Sequence, residues 1–329
     1  MGFEMNTIWA VILLAGGLLI LWKAADLLVA GAVGLARRLG ISSLVIGLTI
    51  VAMGTSAPEV AASIAAVFQP DGGDIALGNV YGSNIANLAL VGGLAALIRP
   101  IIVQLRVLRR EIPVMLATAL LLWPVFYNLS LSSPEAVLLL AIFIVLLALT
   151  AYMARKEPPA APRAALIQHE VSKIEKPRPL RLDIILIAVG LAGLAVGAKM
   201  SVAGAVFIGR KIGLSEAVIG LTIIAVGTSL PELATSLVAA IRAEYDISIG
   251  NLVGSNIFNT LLVTGAAGAI RPFQISKRLA GSDYWIMIVV SLTFAAIPIL
   301  ARRRISRLSG ALLLAVYAAY LTCLFTAGA

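Results

Sequence analysis

Two nonapeptides, AMGTSAPEV at 52–60 and AVGTSLPEL at 225–233, each place a threonine, a serine, a proline and a glutamate inside an otherwise apolar run. A carboxylate at the centre of a bilayer costs roughly 2.5–3.5 kcal/mol on insertion scales. Glu59 and Glu232 double that cost, and their recurrence in one motif points to a joint site. Thr55 stands four residues before Glu59, and Thr228 four before Glu232, so each pair shares a helix face. Pro58 and Pro231 lack an amide hydrogen and release the Gly54 and Gly227 carbonyls. Irregular backbone at membrane depth is tolerated where it lines a cavity. Carboxylates, hydroxyls and freed carbonyls together make a cage of oxygens alone, which suits hard cations. Calcium takes six to eight oxygens in irregular geometry, whereas magnesium needs a smaller octahedron and keeps waters. Sodium also fits. Copper, iron and zinc favour Cys or His, which these runs lack. Two ionised glutamates match one divalent ion or more than one monovalent ion.

A second repeated motif is GNVYGSNIAN at 78–87 and GNLVGSNIFN at 250–259. Ser83 and Asn87 share a face, as do Ser255 and Asn259. These four read as ion-site lining. Asn84 and Asn256 could line the site or join helices by hydrogen bonds. Gly78, Gly82, Gly250 and Gly254 read as close helix contacts.

The elements that must hold these motifs are membrane helices. Hydrophobic residues make up 60% of the 329 and charged ones only 12%, the charges clustering between long apolar runs. Spans are expected near 7–36, 42–68, 75–98, 110–127 and 135–154, then near 183–209, 215–241, 247–270, 283–301 and 308–326. The alternating ten-residue segments of a β-barrel are absent. GAVGLARRLGIS at 31–42 matches GAVFIGRKIGLS at 204–215, and the match continues through both motifs at an offset of 173 residues, then 172. Five spans per repeat is odd, so the second half must run opposite to the first. The expected fold is therefore all-α, an integral membrane protein of ten transmembrane helices in two inverted five-helix repeats, with helices broken at the midplane. The first repeat covers 1–154, a cytoplasmic linker 155–182, and the second repeat 183–329.

Arg37, Arg38, Arg99, Arg106, Arg109 and Arg110 fall in loops that are cytoplasmic if the N-terminus is outside, and the matching outer loops carry no Lys or Arg. The net charge of +9 thus reads as loop charge, not as a nucleic-acid surface. The N-terminal apolar stretch contains Lys23 and Asp26 and reads as a true span, not a signal peptide. His169 reads as a solvated linker residue, and Cys323 can form no intrachain disulfide. No nucleophile–base pair or HExxH dyad points to an enzyme.

The paired GTSxPE and GSNxxN motifs resemble those of the calcium/cation antiporter superfamily, and within it the prokaryotic sodium/calcium exchangers. The resemblance covers the whole chain. It implies a secondary antiporter of the plasma membrane that exchanges sodium for calcium by alternating access, with proton/calcium exchange as the alternative. It implies a calcium site of Glu59, Glu232, Thr55 and Thr228. Flanking sodium groups would be Ala52, Ser56 and Ser83 on one side, and Ala225, Ser229 and Ser255 on the other. Asn87 and Asn259 would line a central position. Some relatives have aspartate where Asn259 stands, so potassium co-transport is not expected. Nor are a cofactor, an obligatory protein partner, or calcium-sensing domains in so short a linker. Lys199 stands by repeat where Asp26 stands in the first half. The two would form a salt bridge across the pseudo-two-fold, or each would snorkel separately to an interface.

Overall fold

The computed structural model describes residues 6–156, 178–214, 223 and 225–327. The helices are α1 (Thr7–Leu39), a bent pair α2 (Ser43–Thr55) and α3 (Ala57–Ala66), α4 (Gly72–Ile98), α5 (Ile112–Val125), α6 (Ser133–Lys156), α7 (Leu180–Lys211), α8 (Ala225–Thr228), α9 (Leu230–Ile241), α10 (Tyr245–Ile270), α11 (Leu279–Leu300) and α12 (Arg307–Ala327). Among the described residues, seven helices are long and apolar enough to cross a membrane, or eight if α2 and α3 form one broken span. The span expected at 110–127 holds α5, a helix of 14 residues that continues directly from a π-helical turn at Val107–Glu111. The one expected at 215–241 lies partly outside the described residues, as does His169; α9 is its described part.

α1 and α7 pack against each other over nearly their full lengths, antiparallel. Glycines permit the approach: a Cβ on Gly190 would lie 2.8 Å from the Leu28 amide nitrogen and 2.9 Å from the Ala24 carbonyl oxygen. α1 ends at Gly40, whose φ of 66° suits glycine and whose amide donates to the Ala36 and Arg37 carbonyls. Gly213 repeats the device after α7 with a φ of 88°.

This register removes the expected Asp26–Lys199 pair. Residues 173 apart face each other only near Leu21 and Leu194. Asp26 and Lys199 each lie five residues beyond that level, in opposite directions. At 1.5 Å per residue they stand about 15 Å apart along the axis. Asp26 instead pairs with Arg242 just after α9, at 2.5 Å, and Lys199 is exposed. Near the cytoplasmic end expected for this seam, Arg38 lies 3.8 Å from the buried Asp183.

Two short ribbons join the halves. β1 (Ile101–Ile102) pairs antiparallel with β4 (Arg304–Ile305), and β2 (Ser130–Leu131) with β3 (Phe273–Gln274). β1 and β3 are repeat equivalents, so each ribbon takes one strand from each half. Between them α4 and α10 run through the middle, each touching the bent pair of its own half and that of the other. Gly250 and Gly254 pack against α2, as expected: a Cβ on Gly254 would lie 2.8 Å from the Ala52 Cβ. The repeat-related segment that would pack on Gly78 and Gly82, near 217–221, lies outside the described residues.

Replacing Gly190 by Val should therefore force α1 and α7 apart at a cost of about 1–3 kcal/mol. A lowered melting temperature in detergent, read by tryptophan fluorescence, is the expected result; unchanged melting would contradict the packing register.

Candidate cation site

α2 stops at Thr55 and α3 begins at Ala57. Ser56 between them has φ −83° and ψ 5°, and the two helices meet at 40°. Pro58 falls in the first turn of α3, where a missing amide hydrogen costs nothing. Ser229 breaks the second half in the same way, with φ −87° and ψ 5°, and Pro231 opens α9. Glu59 and Glu232 thus sit in the first turns of α3 and α9, beside unpaired amides and the positive end of each helix dipole.

Both glutamates are 0% exposed. Ser56 Oγ donates to Glu232 Oε1 at 2.9 Å, so the break in one half meets the carboxylate of the other. Both oxygens of Glu59 and Oε2 of Glu232 have no hydrogen-bond partner among the described residues. Nor do Ser255 Oγ or either polar atom of Asn87 and Asn259. Buried polar atoms are nearly always paired, so such a concentration of unpaired ones marks a place that accepts an outside ligand. Among the described residues no three His, Cys, Asp or Glu cluster together, so neutral oxygens must complete any coordination shell around the two carboxylates.

The hydroxyl groups cross between the halves. Thr55 Oγ1 donates to Asn251 Oδ1 at 3.1 Å and lies 3.2 Å from the Ala52 carbonyl. Thr228 Oγ1 donates to Asn79 Oδ1 at 3.5 Å. Ser229 Oγ donates to Ser83 Oγ at 3.4 Å, which joins Ser83 to the opposite half and not to Ser56. Ala225 begins α8, whose backbone places it one turn before the Ser229 break. Asn84 takes the helix-joining role, donating to Thr260 Oγ1 at 3.1 Å, whereas Asn256 donates to the Leu252 carbonyl of its own helix at 2.8 Å.

Asn87 and Asn259 lie in π-helical turns, Ala86–Val91 and Asn259–Val263. Such turns insert a residue into a helix and loosen its carbonyl ladder, often at functional sites. Sequence periodicity does not reveal them. Asn79 and Asn251 also join the two halves, and their recurrence in both GNxxGSNxxN motifs is the sequence signal for them.

A buried, oxygen-lined site with two carboxylates, held by broken helices from two related halves of a multi-pass membrane protein, defines a cation transporter. The chain belongs to the sodium/calcium exchanger protein family, whose model matches residues 9–152 and again 182–326. It is 40% identical over 318 residues to the putative antiporter CaxA of Alkalimonas amylolytica, covering 96% of this chain and 98% of CaxA. It is 34% identical over 339 residues to the sodium/calcium exchanger MaX1 of Methanosarcina acetivorans, covering 94% and 96%. The solved structure of the sodium-calcium exchanger NCX_Mj soaked with sodium and strontium superposes with a TM-score of 0.81 at 31% identity, covering 96% of this chain and 99% of that one. The protein is a membrane cation/calcium antiporter of this family and not an enzyme.

Replacing Glu59 or Glu232 by Gln removes half the site's charge at almost constant shape. Either change is expected to abolish saturable calcium binding in calorimetry on purified protein; near-normal binding would take that residue out of the site.

Proposed function

We propose that the chain exchanges sodium for calcium across the plasma membrane by alternating access, as a ten-span protein of two inverted five-helix halves, 1–154 and 183–329, joined by a linker at 155–182. The observation that carries this reading is the set of buried, unpaired oxygens around two carboxylates contributed one by each half. Calcium is held by Glu59, Glu232, Thr55 and Thr228. The cross-half contacts favour one change in the flanking groups. Ser83 goes with Ala225 and Ser229, because Ser229 bonds it. Ser255 goes with Ala52 and Ser56, because its neighbour Gly254 packs on Ala52. Asn87 and Asn259 line the centre.

The ribbons support the span count. β1 and β4 must lie on one face of the membrane, and so must β2 and β3. Six and four crossings separate them in the ten-span plan, and both numbers are even. β1 and β4 also bring Arg99, Arg106, Arg302, Arg303 and Arg304 to a common rim, which fits a cytoplasmic face.

Sodium coupling is favoured because a proton needs only the carboxylates, whereas the site also offers hydroxyls, amides and carbonyls. MaX1, a relative at 34% identity, is itself a sodium/calcium exchanger. Sodium entering the flanking groups displaces calcium from the shared glutamates. A cation-free site carries two bare carboxylates, and moving a barrier past them through a dry interior is costly. That cost enforces exchange over leak.

α1 packs along α9 and holds it through Asp26 and Arg242, whereas α7 and α3, their repeat counterparts, barely touch. In the proposed orientation the cytoplasmic side is therefore closed and the site faces outward.

Calcium uptake into proteoliposomes loaded with sodium, compared with vesicles carrying only a proton gradient, tests the coupling. Uptake driven by sodium is expected; uptake driven by protons alone would establish the alternative.

A further inference from the structure

Asn79 and Asn251 occupy equivalent places in the two halves and make equivalent bonds. Asn79 Nδ2 donates to the Glu59 carbonyl oxygen at 3.4 Å and to Ser63 Oγ at 3.0 Å. Asn251 Nδ2 donates to the Glu232 carbonyl oxygen at 3.4 Å and to Ser236 Oγ at 3.0 Å. Each amide thus grips the glutamate-bearing helix of its own half. Its Oδ1 accepts the threonine hydroxyl of the other half, from Thr228 and Thr55 respectively.

We propose that Asn79 and Asn251 are positioning residues that set the hydrogen-bond polarity of Thr228 and Thr55, turning each hydroxyl into an obligate cation ligand. This rests on the reading that these threonines and the two glutamates hold calcium. A primary amide has two N–H donors and one carbonyl. With both donors committed to Glu and Ser, only the carbonyl is left to face the threonine. A hydroxyl has a single proton. Once that proton is directed to Oδ1, the lone pairs of the threonine are what remain to meet a cation. A hydroxyl free to rotate would present its proton to the ion in part of its population, and proton and cation repel.

Asn251 has a second effect. Its Oδ1 competes for the Thr55 proton with the Ala52 carbonyl, 3.2 Å from the hydroxyl, and so spares a lone pair that the proposed sodium group needs. The same bond fixes distance as well as polarity. Asn251 ties the first turn of α9 to the last turn of α2, so the carboxylate of one half and the hydroxyl of the other are set by one amide.

The Glu59 and Glu232 carbonyls can only accept, so each asparagine must turn its Nδ2 toward them and cannot flip. Ser63 Oγ donates to the Ala76 carbonyl at 3.3 Å, which leaves it an acceptor for Asn79. Ser248 Oγ donates to the Ser236 carbonyl at 3.1 Å and braces α10 against α9 beside Asn251.

The test is a double-mutant cycle of Asn251→Ala and Thr55→Val in reconstituted exchanger. Asn251→Ala alone should raise the calcium concentration for half-maximal exchange about tenfold while largely preserving the maximal rate. In the Thr55→Val background the same change should add less than twofold, because the group through which Asn251 acts is gone. Effects that multiply independently, or an unchanged half-saturation, would overturn the proposal. The cycle of Asn79→Ala with Thr228→Val repeats the test in the other half should the first pair fail to fold. Glu59→Gln and Glu232→Gln separate the two levels. Retained exchange in those variants would overturn the underlying site, whereas their loss together with independent asparagine effects would overturn the positioning role alone.

Discussion

The structure depends on one constraint: two carboxylates, one from each half, are fully buried in the protein interior. Among the described residues neither has a basic partner at hydrogen-bond distance, and three of their four oxygens lack any partner. What makes this tolerable is local backbone. Each glutamate lies in the first turn of a helix that starts at the membrane interior, so unpaired amides and an oriented dipole surround it. The proline that ends one helix and begins the next creates that start. Asparagines on the neighbouring helices brace each of these first turns by donating to the glutamates' own carbonyls. In the proposed function a cation supplies the charge that the protein withholds.

Duplication gives the site its form, and departures from symmetry give it direction. Thr55 with Asn251 and Thr228 with Asn79 are equivalent bonds. Ser56 and Ser229 are not equivalent in what they bond: one meets Glu232 and the other meets Ser83. The outer helices diverge further. Arg242 has an acidic partner on α1, while its repeat counterpart, Gln69, is neutral and the residue matching Asp26 is Lys199. A charged bond is therefore available on one side only, and there α1 lies against α9.

The sequence showed the repeat, the broken helices and the two glutamates, because each is a pattern along one chain: an offset, a proline at fixed spacing, a charge in an apolar run. It did not show what depends on how chains cross. Repeat alignment says that Asp26 and Lys199 are equivalent, but antiparallel register decides that they are far apart. Asp183 and Glu111 sit at the ends of apolar runs and read as interfacial. Both are buried, the first against Gly31 and Gly34 of α1, the second beside Arg106 and Arg110. The roles of Asn79 and Asn251 were hidden for the same reason. Spacing on one helix places Asn87 with Ser83, but the partners of Asn79 come from two other helices.

The ribbons at the two rims carry a mechanical consequence. Each stitches a loop of one half to a loop of the other, one on either face, so the halves are pinned at top and bottom and have no free edge about which to hinge. A clamshell motion of half against half would tear one ribbon or the other. In the proposed exchange cycle the cargo would then stay still while the wall moves, and the slab made by α1 and α7, tied into neither ribbon, would be the part that travels.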